Sequence, residues 1–155
     1  MTYYQLTCIL SIDSKSAGEV IGIFLSTQSK KREVIAFLEE LKALLGKESF
    51  DIDSDLTLIK KKKLDDEEHS TPYTLLDLDY DTWDVVERLK ELTVSEYSET
   101  KIDKDDLKPP LLFVFGKDIN GKLVYVKLKI KGDQKRRVLC VSFHYARDPM
   151  KFPYA

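Results

Sequence analysis

Residues 111–131 read LLFVFGKDINGKLVYVKLKIK and carry the clearest structural signal in this chain of 155 residues. The pair Asn120-Gly121 favours a two-residue turn between antiparallel strands. Apolar and polar side chains alternate on both sides of this turn, as in strands with one buried and one polar face. The later run Arg137–Tyr145 alternates in the same way. The sequence therefore predicts an antiparallel meander of three strands, Leu111–Ile119, Lys122–Lys131 and Arg137–Tyr145.

The alternation also assigns side chains to the two faces of the meander. Its core face is expected to hold Phe113, Phe115, Val124, Val126, Leu128, Leu139, Val141 and Phe143. Pairing these apolar sets places Tyr125 opposite Ser142, with His144 diagonal to Tyr125. The polar, solvent-facing side then collects Gly116, Asp118, Tyr125, Lys127, Lys129, Ser142 and His144.

Gly116 falls directly opposite Tyr125 in this arrangement. A missing side chain there would leave room for the close approach of a ligand, unless Gly116 marks a β-bulge. Lys117 points to the core side, and a bulge at Gly116 would turn it to the polar side. Both readings stay open on the sequence alone.

Upstream of the meander the pattern changes to helices. Apolar residues recur at three- and four-residue steps from Lys30 to Leu45, with Ser29 as the expected N-cap, and from Thr82 to Leu92, with Asp81 as the N-cap. Strands are expected within 55–64 and 96–102. The order predicts an α+β fold, with two or three helices packed on one face of a mainly antiparallel sheet. Residues 29–155 form its single domain, and residues 1–28 a hairpin or an extension.

Composition excludes several classes of protein. With 43% hydrophobic and 34% charged residues, the chain has the balance of an ordinary globular domain. Cys8 and Cys140 lie far apart without a ligand cluster, so we expect no metal site and, in a reducing compartment, two buried thiols rather than a disulfide. No apolar run reaches the roughly 18 residues of a membrane span, and no signal peptide is evident. We therefore expect a cytoplasmic protein without a cofactor.

Charge is distributed unevenly along the chain. Residues 101–155 contain 13 Lys or Arg and 6 Asp or Glu, whereas the first 100 residues contain 12 and 21. A basic C-terminal part indicates either a polyanionic or acidic partner or simply a solvated surface. The same two readings apply to the four lysines at 60–63, which an acidic run follows at 65–68.

The polar face of the meander has the residue types of an RNA-binding surface. Lysines pair with phosphates, and an aromatic ring can stack on a base. His144 can exchange a proton near neutral pH.

These segments resemble MqsR-family toxins, which belong to the RelE-like toxins. The similarity rests on 113–117 (FVFGK), 123–130 (LVYVKLKI), 141–144 (VSFH) and 149–154 (PMKFPY), with 92–97 (LTVSEY) similar to the family's helix exit. It covers about residues 30–155 and is strongest after Leu92.

The resemblance implies a metal-independent endoribonuclease that cuts mRNA and is silenced by a cognate antitoxin. Tyr125 matches the family's catalytic Tyr, and His144 occupies the position of a catalytic cation. For this reaction we expect His144 to transfer the proton, Tyr125 to orient the reacting groups or exchange a proton, and Lys127 to stabilise the phosphorane charge. Activity should then fall below about pH 6 if His144 acts as the base. RNA contacts are expected from Lys117, Lys129, Tyr97 and Ser142. Ser98 occupies the position of a catalytic Lys, and residues 113–114 that of a catalytic Gln. A non-catalytic module that uses the same basic face to bind nucleic acid or protein is the alternative function.

Overall fold

The computed structural model describes residues 26–155. Within them the helices are α1 (Lys31–Gly46), α2 (Ile52–Asp55), α3 (Thr71–Leu78) and α4 (Thr82–Lys90). The strands are β1 (Ser26–Thr27), β2 (Leu56–Leu58), β3 (Tyr97–Lys101), β4 (Leu112–Ile119), β5 (Lys122–Lys131) and β6 (Arg137–Tyr145). They form one sheet in the order β1-β3-β4-β5-β6-β2, antiparallel except for the parallel pair β2 and β6. The α+β prediction is confirmed, whereas most of the hairpin or extension predicted for 1–28 lies outside the described residues.

The β4–β5 hairpin has the predicted pairing. Ile119 lies opposite Lys122, and Gly116 opposite Tyr125. Asn120 and Gly121 both adopt positive φ angles, 54° and 84°, as a tight turn that follows the twist of the strands requires. No bulge interrupts this pair of strands, so Lys117 lies opposite Val124 on the core side, as the regular register predicts.

The predicted pairing of β5 with β6 is wrong along both parts of the two strands. The error is two residues from Val124 to Lys127, and one residue from Leu128 to Lys131, with a bulge between the two parts. Tyr125 lies directly opposite His144, and Lys127 opposite Ser142. Val141 is then an extra residue, because the next pair is Leu128 with Cys140. A two-residue shift keeps every side chain on its face, so alternation could not reveal it, whereas the bulge reverses the faces of the residues that precede it.

The bulge exchanges which side chains of β6 enter the core. Val138 and Cys140 are buried in the hydrophobic core, while Leu139 and Val141 face the polar side. Burial raises the pKa of the Cys140 thiol to about 12, so this free cysteine is an inert core residue. Cys8 lies outside the described residues.

Helices α1 and α4 cover one face of the sheet. Their apolar stripes contribute Val34, Leu38, Leu41, Leu45, Val85, Val86 and Leu89 to the core. Phe37 stacks on Phe113 with 4.1 Å between ring centroids. The predicted N-cap of α4 is confirmed, because the Asp81 side chain accepts from the N–H of Asp84, and the Asp84 side chain accepts from the N–H of Asp81 in return.

The predicted N-cap of α1 is wrong. Lys30 holds that position, and its N–H donates to Glu33 Oε1 at 3.0 Å. Ser29 is buried instead and its N–H donates to the Tyr97 hydroxyl at 2.8 Å. The tertiary contact with Tyr97 therefore outweighs the local preference of Ser29 for the N-cap position of the helix.

Helix α3 was not predicted from the sequence. Ser70 caps its start, and Pro72 lies in its first turn. Two of its hydroxyls accept hydrogen bonds from β6: Thr71 Oγ1 from the N–H of Phe143 at 3.1 Å, and Thr74 Oγ1 from the N–H of Tyr145 at 2.9 Å. These two hydroxyls thus replace the acceptors of a neighbouring strand along β6, beyond the point where the short strand β2 ends.

The polar face is not the open solvent surface that the alternation predicts. The segment after β3 lies against it, and Asp103 and Asp106 pair with the buried Lys129 at 2.9 and 3.3 Å. The C-terminal tail crosses it from the other side. A Cβ at Gly116 would lie 2.8 Å from Phe152 Cζ, so the tail occupies the space that Gly116 leaves.

Candidate active-site cleft

A cleft of about 1500 Å³ remains on the polar face between these covering segments. Its floor is formed by side chains of β5 and β6: Tyr125, Lys127, Leu139, Val141, Ser142 and His144. Its walls come from the loop after β2, the segment from 98 to 106 and the tail from 147 to 153. The meander that the sequence predicts therefore places three of its proposed catalytic side chains on one floor.

His144 is held in one orientation and in one protonation state. Its ring stacks on Tyr125 with 5.2 Å between centroids and 14° between planes. Nδ1 lies 2.9 Å from the carbonyl oxygen of Tyr145, which assigns the proton to Nδ1 and leaves Nε2 with a lone pair. Burial, reinforced by the charges of Lys63 and Lys127, lowers the pKa of His144 to about 4. At neutral pH the ring is therefore neutral.

Tyr125 has a cationic partner that the sequence analysis missed. Lys101, the last residue of β3, is a charged neighbour of the Tyr125 side chain and makes an ion pair with Glu99 at 3.2 Å. Burial raises the pKa of Tyr125, and the neighbouring Lys101 opposes that shift. Burial alone would lower the pKa of Lys101, but Tyr125 and Glu99 raise it overall. Strict alternation along β3 would place Lys101 on the same face as the core residue Tyr97, and the register shift between Tyr97 and Glu99 reverses this, so the sequence pattern could not have found it.

Lys127 has no ion-pair partner among residues 26–155. It is half-buried, and its Nζ lies 5.9 Å from the centroid of the Tyr125 ring. Burial is the main cause that lowers its pKa, and the positive charge of Lys101 adds to this effect. A cation that is partly desolvated and unpaired gains most when an anion enters beside it.

Three residues that were expected to contact RNA lie elsewhere. Lys117 is on the core side and pairs with Glu96 at 3.4 Å. Lys129 is on the polar side but fully buried under the segment after β3. Tyr97 is in the core, where its hydroxyl lies 2.7 Å from Thr100 Oγ1. The fourth expected residue, Ser142, lines the cleft opposite Lys127.

Charges of both signs line the cleft. The cations are Lys61, Lys63, Lys101, Lys104, Lys127, Arg147 and Lys151. The carboxylates are Asp65, Asp66, Glu99, Asp103, Asp105, Asp106 and Asp148. Several carboxylates are already engaged, since Asp103 and Asp106 hold Lys129. Lys127 is thus the cation of the floor, and the other six cations lie in the walls beside the seven carboxylates.

The site belongs to the class of clefts built on the face of an α+β sheet opposite its core helices, with a neutral histidine and an unpaired lysine on the floor. When the chain was compared with protein-family models, curated proteins and solved structures, nothing matched. Between residues 26 and 155 there is no cluster of three or more His, Cys, Asp or Glu side chains that could hold a metal ion. In the same part of the chain no helix is long and apolar enough to span a bilayer.

Proposed function

We propose that this chain is a metal-independent endoribonuclease of the mRNA-cutting toxin type. The observation that carries the proposal is the pairing, on one cleft floor, of a neutral His144 with the unpaired cation Lys127. A base with a free lone pair and a cation without a counterion are the two groups that cleavage by the 2′-hydroxyl requires.

In this mechanism His144 Nε2 takes the proton of the 2′-hydroxyl. The oxygen attacks the adjacent phosphate, and the products are a 2′,3′-cyclic phosphate and a 5′-hydroxyl end. Lys127 stabilises the charge that grows on the phosphorane oxygens. Tyr125 fixes the imidazole through its ring contact, and the cationic Lys101 beside it lines the same cleft.

Lys101 also bears on the resemblance to MqsR-family toxins. Ser98 stands where that family has a catalytic Lys, and it lines the cleft. Lys101 lies three residues further along the same strand and lines the cleft as well. We assign to Lys101 the cationic role that Ser98 cannot fill. The resemblance further supports a RelE-like fold, a cytoplasmic location and a cognate antitoxin as partner.

The test is cleavage of a mixed-sequence RNA with EDTA present. We expect wild-type protein to produce 2′,3′-cyclic phosphate ends and to leave the 2′-deoxy analogue intact. His144→Ala should lose at least about a hundredfold in rate, as expected when an acid–base group is removed. Lys62→Ala is the matched control, because Lys62 is exposed and outside the cleft. Equal rates for wild type and His144→Ala, with both folded, would refute the assignment of His144.

A non-catalytic binding module is the second candidate. The carboxylates along the walls favour it, because they would repel the phosphates on both sides of the floor. Expression in bacterial cells separates the two functions. A ribonuclease arrests growth, and His144→Ala relieves the arrest, whereas a binding module gives the same growth with either protein.

A further inference from the structure

A second histidine lies at the border of the cleft and is held by a carboxylate. His69 belongs to the short 3₁₀ segment Glu67–His69 before α3. Its Nδ1 lies 2.6 Å from Asp66 Oδ1, and the hydrogen bond with His69 is the main cause that lowers the pKa of Asp66. Lys63 Nζ donates to the His69 carbonyl at 2.8 Å. Nε2 has no hydrogen-bond partner among residues 26–155, so the imidazole is oriented through Nδ1 and free at Nε2.

This histidine is near the end of β6 that carries His144. Thr71, two residues after His69, accepts the N–H of Phe143, the neighbour of His144. Asp66 lines the same cleft as His144, and its Oδ2 lies 3.7 Å from Nη1 of Arg147. His69 is also among the charges that lower the pKa of His144.

His69 opens onto a smaller cavity of about 440 Å³ beside the cleft. Residues 147–149 line both spaces, so the two adjoin. The cavity has the groups that hold a nucleotide: the cations Lys122 and Arg147 and the rings of Tyr73 and Tyr145. Lys122 Nζ lies 4.4 Å from the centroid of the Tyr145 ring, and the Tyr145 hydroxyl donates to Asp77 at 2.6 Å.

We propose that His69 is the general acid of the cleavage step and that the smaller cavity binds the nucleotide on the leaving side of the scissile phosphate. The proposal rests on the ribonuclease function assigned above. As the 2′-oxygen forms its bond to phosphorus, the bond from phosphorus to the 5′-oxygen breaks. That oxygen takes the proton from His69 Nε2. His144 gains one proton and His69 loses one, so exchange with water restores both rings.

The assignment divides the two proton transfers between rings with different partners. His144 is buried against a ring and a backbone carbonyl, and it starts neutral. His69 is paired with the Asp66 carboxylate through Nδ1, so Nε2 is the ring atom left to transfer a proton. Asp66 is a positioning residue in this scheme, because it acts on the substrate only through His69.

A change of leaving group tests this role. In an oligoribonucleotide with a sulfur atom in place of one 5′-oxygen, the leaving thiolate needs no proton. On the natural linkage we expect His69→Ala to lose at least about a hundredfold in rate. On the thiolate linkage His69→Ala should cleave within a few-fold of wild type, whereas His144→Ala stays slow on both substrates. Asp66→Asn should lose less than His69→Ala on the natural linkage and nothing on the thiolate linkage.

His69→Asn serves as the second variant, since its amide nitrogen takes the place of Nδ1 and can keep the bond to Asp66 and the fold but cannot transfer a proton. Glu67→Ala is the matched control, because Glu67 is an exposed residue of the same segment that lines neither the cleft nor the smaller cavity. If His69→Ala and His69→Asn cleave the natural linkage like wild type, or lose equally on both linkages, the acid role is overturned while the ribonuclease function stands. If wild-type protein cleaves neither substrate, the ribonuclease function is overturned, and the role of His69 with it.

Discussion

Replacing Lys129 by methionine tests how the segment after β3 is fastened over the sheet. The substitution keeps the approximate length of the side chain and removes its charge. In the native protein the Lys129 side chain is 0% exposed and lies 2.9 Å from Asp103, whose side chain is 7% exposed. Asp106, at 3.3 Å, is 37% exposed. After the substitution water can reach Asp106, but Asp103 stays buried without its counterion.

The magnitude follows from this difference between the two carboxylates. Removing one partner of a buried ion pair costs about 3–5 kcal/mol, because the remaining charge is left uncompensated. For a domain of this size each kcal/mol lowers Tm by roughly 2–4 °C, so the loss should be roughly 6–20 °C. Lys131→Met is the matched control, since the Lys131 side chain is 29% exposed and pairs with the same Asp106 at 3.5 Å. It should cost less than about 1 kcal/mol.

Urea and thermal unfolding of the two variants give the comparison. A Lys129→Met protein that also carries Asp103→Leu should regain much of the lost stability, because neither partner then leaves a buried charge. The reasoning fails if Lys129→Met costs no more than Lys131→Met. It also fails if the double variant is as unstable as the single one.

Four further predictions concern the cleft and the tail beside it. The cleavage rate should rise with pH through about pH 4 rather than 6, because His144 has its lowered pKa there; a rise near pH 6.5 would contradict its burial. Between pH 6.5 and about 4, His144 binds a proton in the unfolded chain but not in the folded protein. The free energy of unfolding should therefore decrease as the pH is lowered through this range, by up to about 1.4 kcal/mol per pH unit, and His144→Asn should reduce that slope. Gly116→Val should cost about 1–3 kcal/mol by displacing Phe152; a cycle with Phe152→Ala should be non-additive, and additivity would show that the two do not meet. RNA affinity should fall as salt rises, because the cleft offers lysines of its floor and walls to phosphates, and a salt-independent affinity would point to an apolar protein partner.

The hairpin of β4 and β5 could be predicted because its signals are local. Asn120-Gly121 supplies the positive φ angles of the turn, and a turn of known length sets the pairing of the strands on both sides. The connection from β5 to β6 offers no such constraint. Its register, and the extra residue Val141, depend on how the sheet packs, and side-chain parity hides a two-residue shift.

The enclosure of the polar face could not be predicted for a related reason. Lys129 has the sequence position of an exposed strand residue, and only the irregular segment containing Asp103 makes it a buried one. Gly116 likewise predicts an open space on the polar face, but the Phe152 ring of the C-terminal tail fills that space. Segments without periodicity give no sign of where they fold back, so the walls of the site could not be predicted. The polar residues of its floor could be, whereas Leu139 and Val141 reach the floor only through the bulge in β6.

The two threonines of α3 also have a consequence for association between molecules. The outer border of a sheet presents unpaired N–H groups that can recruit a strand from another chain. Along β6, strand β2 pairs with residues 138–140, and beyond it the hydroxyls of Thr71 and Thr74 accept the N–H groups of Phe143 and Tyr145. The N–H groups of Phe143 and Tyr145 are therefore not available to a strand from another molecule. In this way α3 protects the meander against aggregation by strand addition.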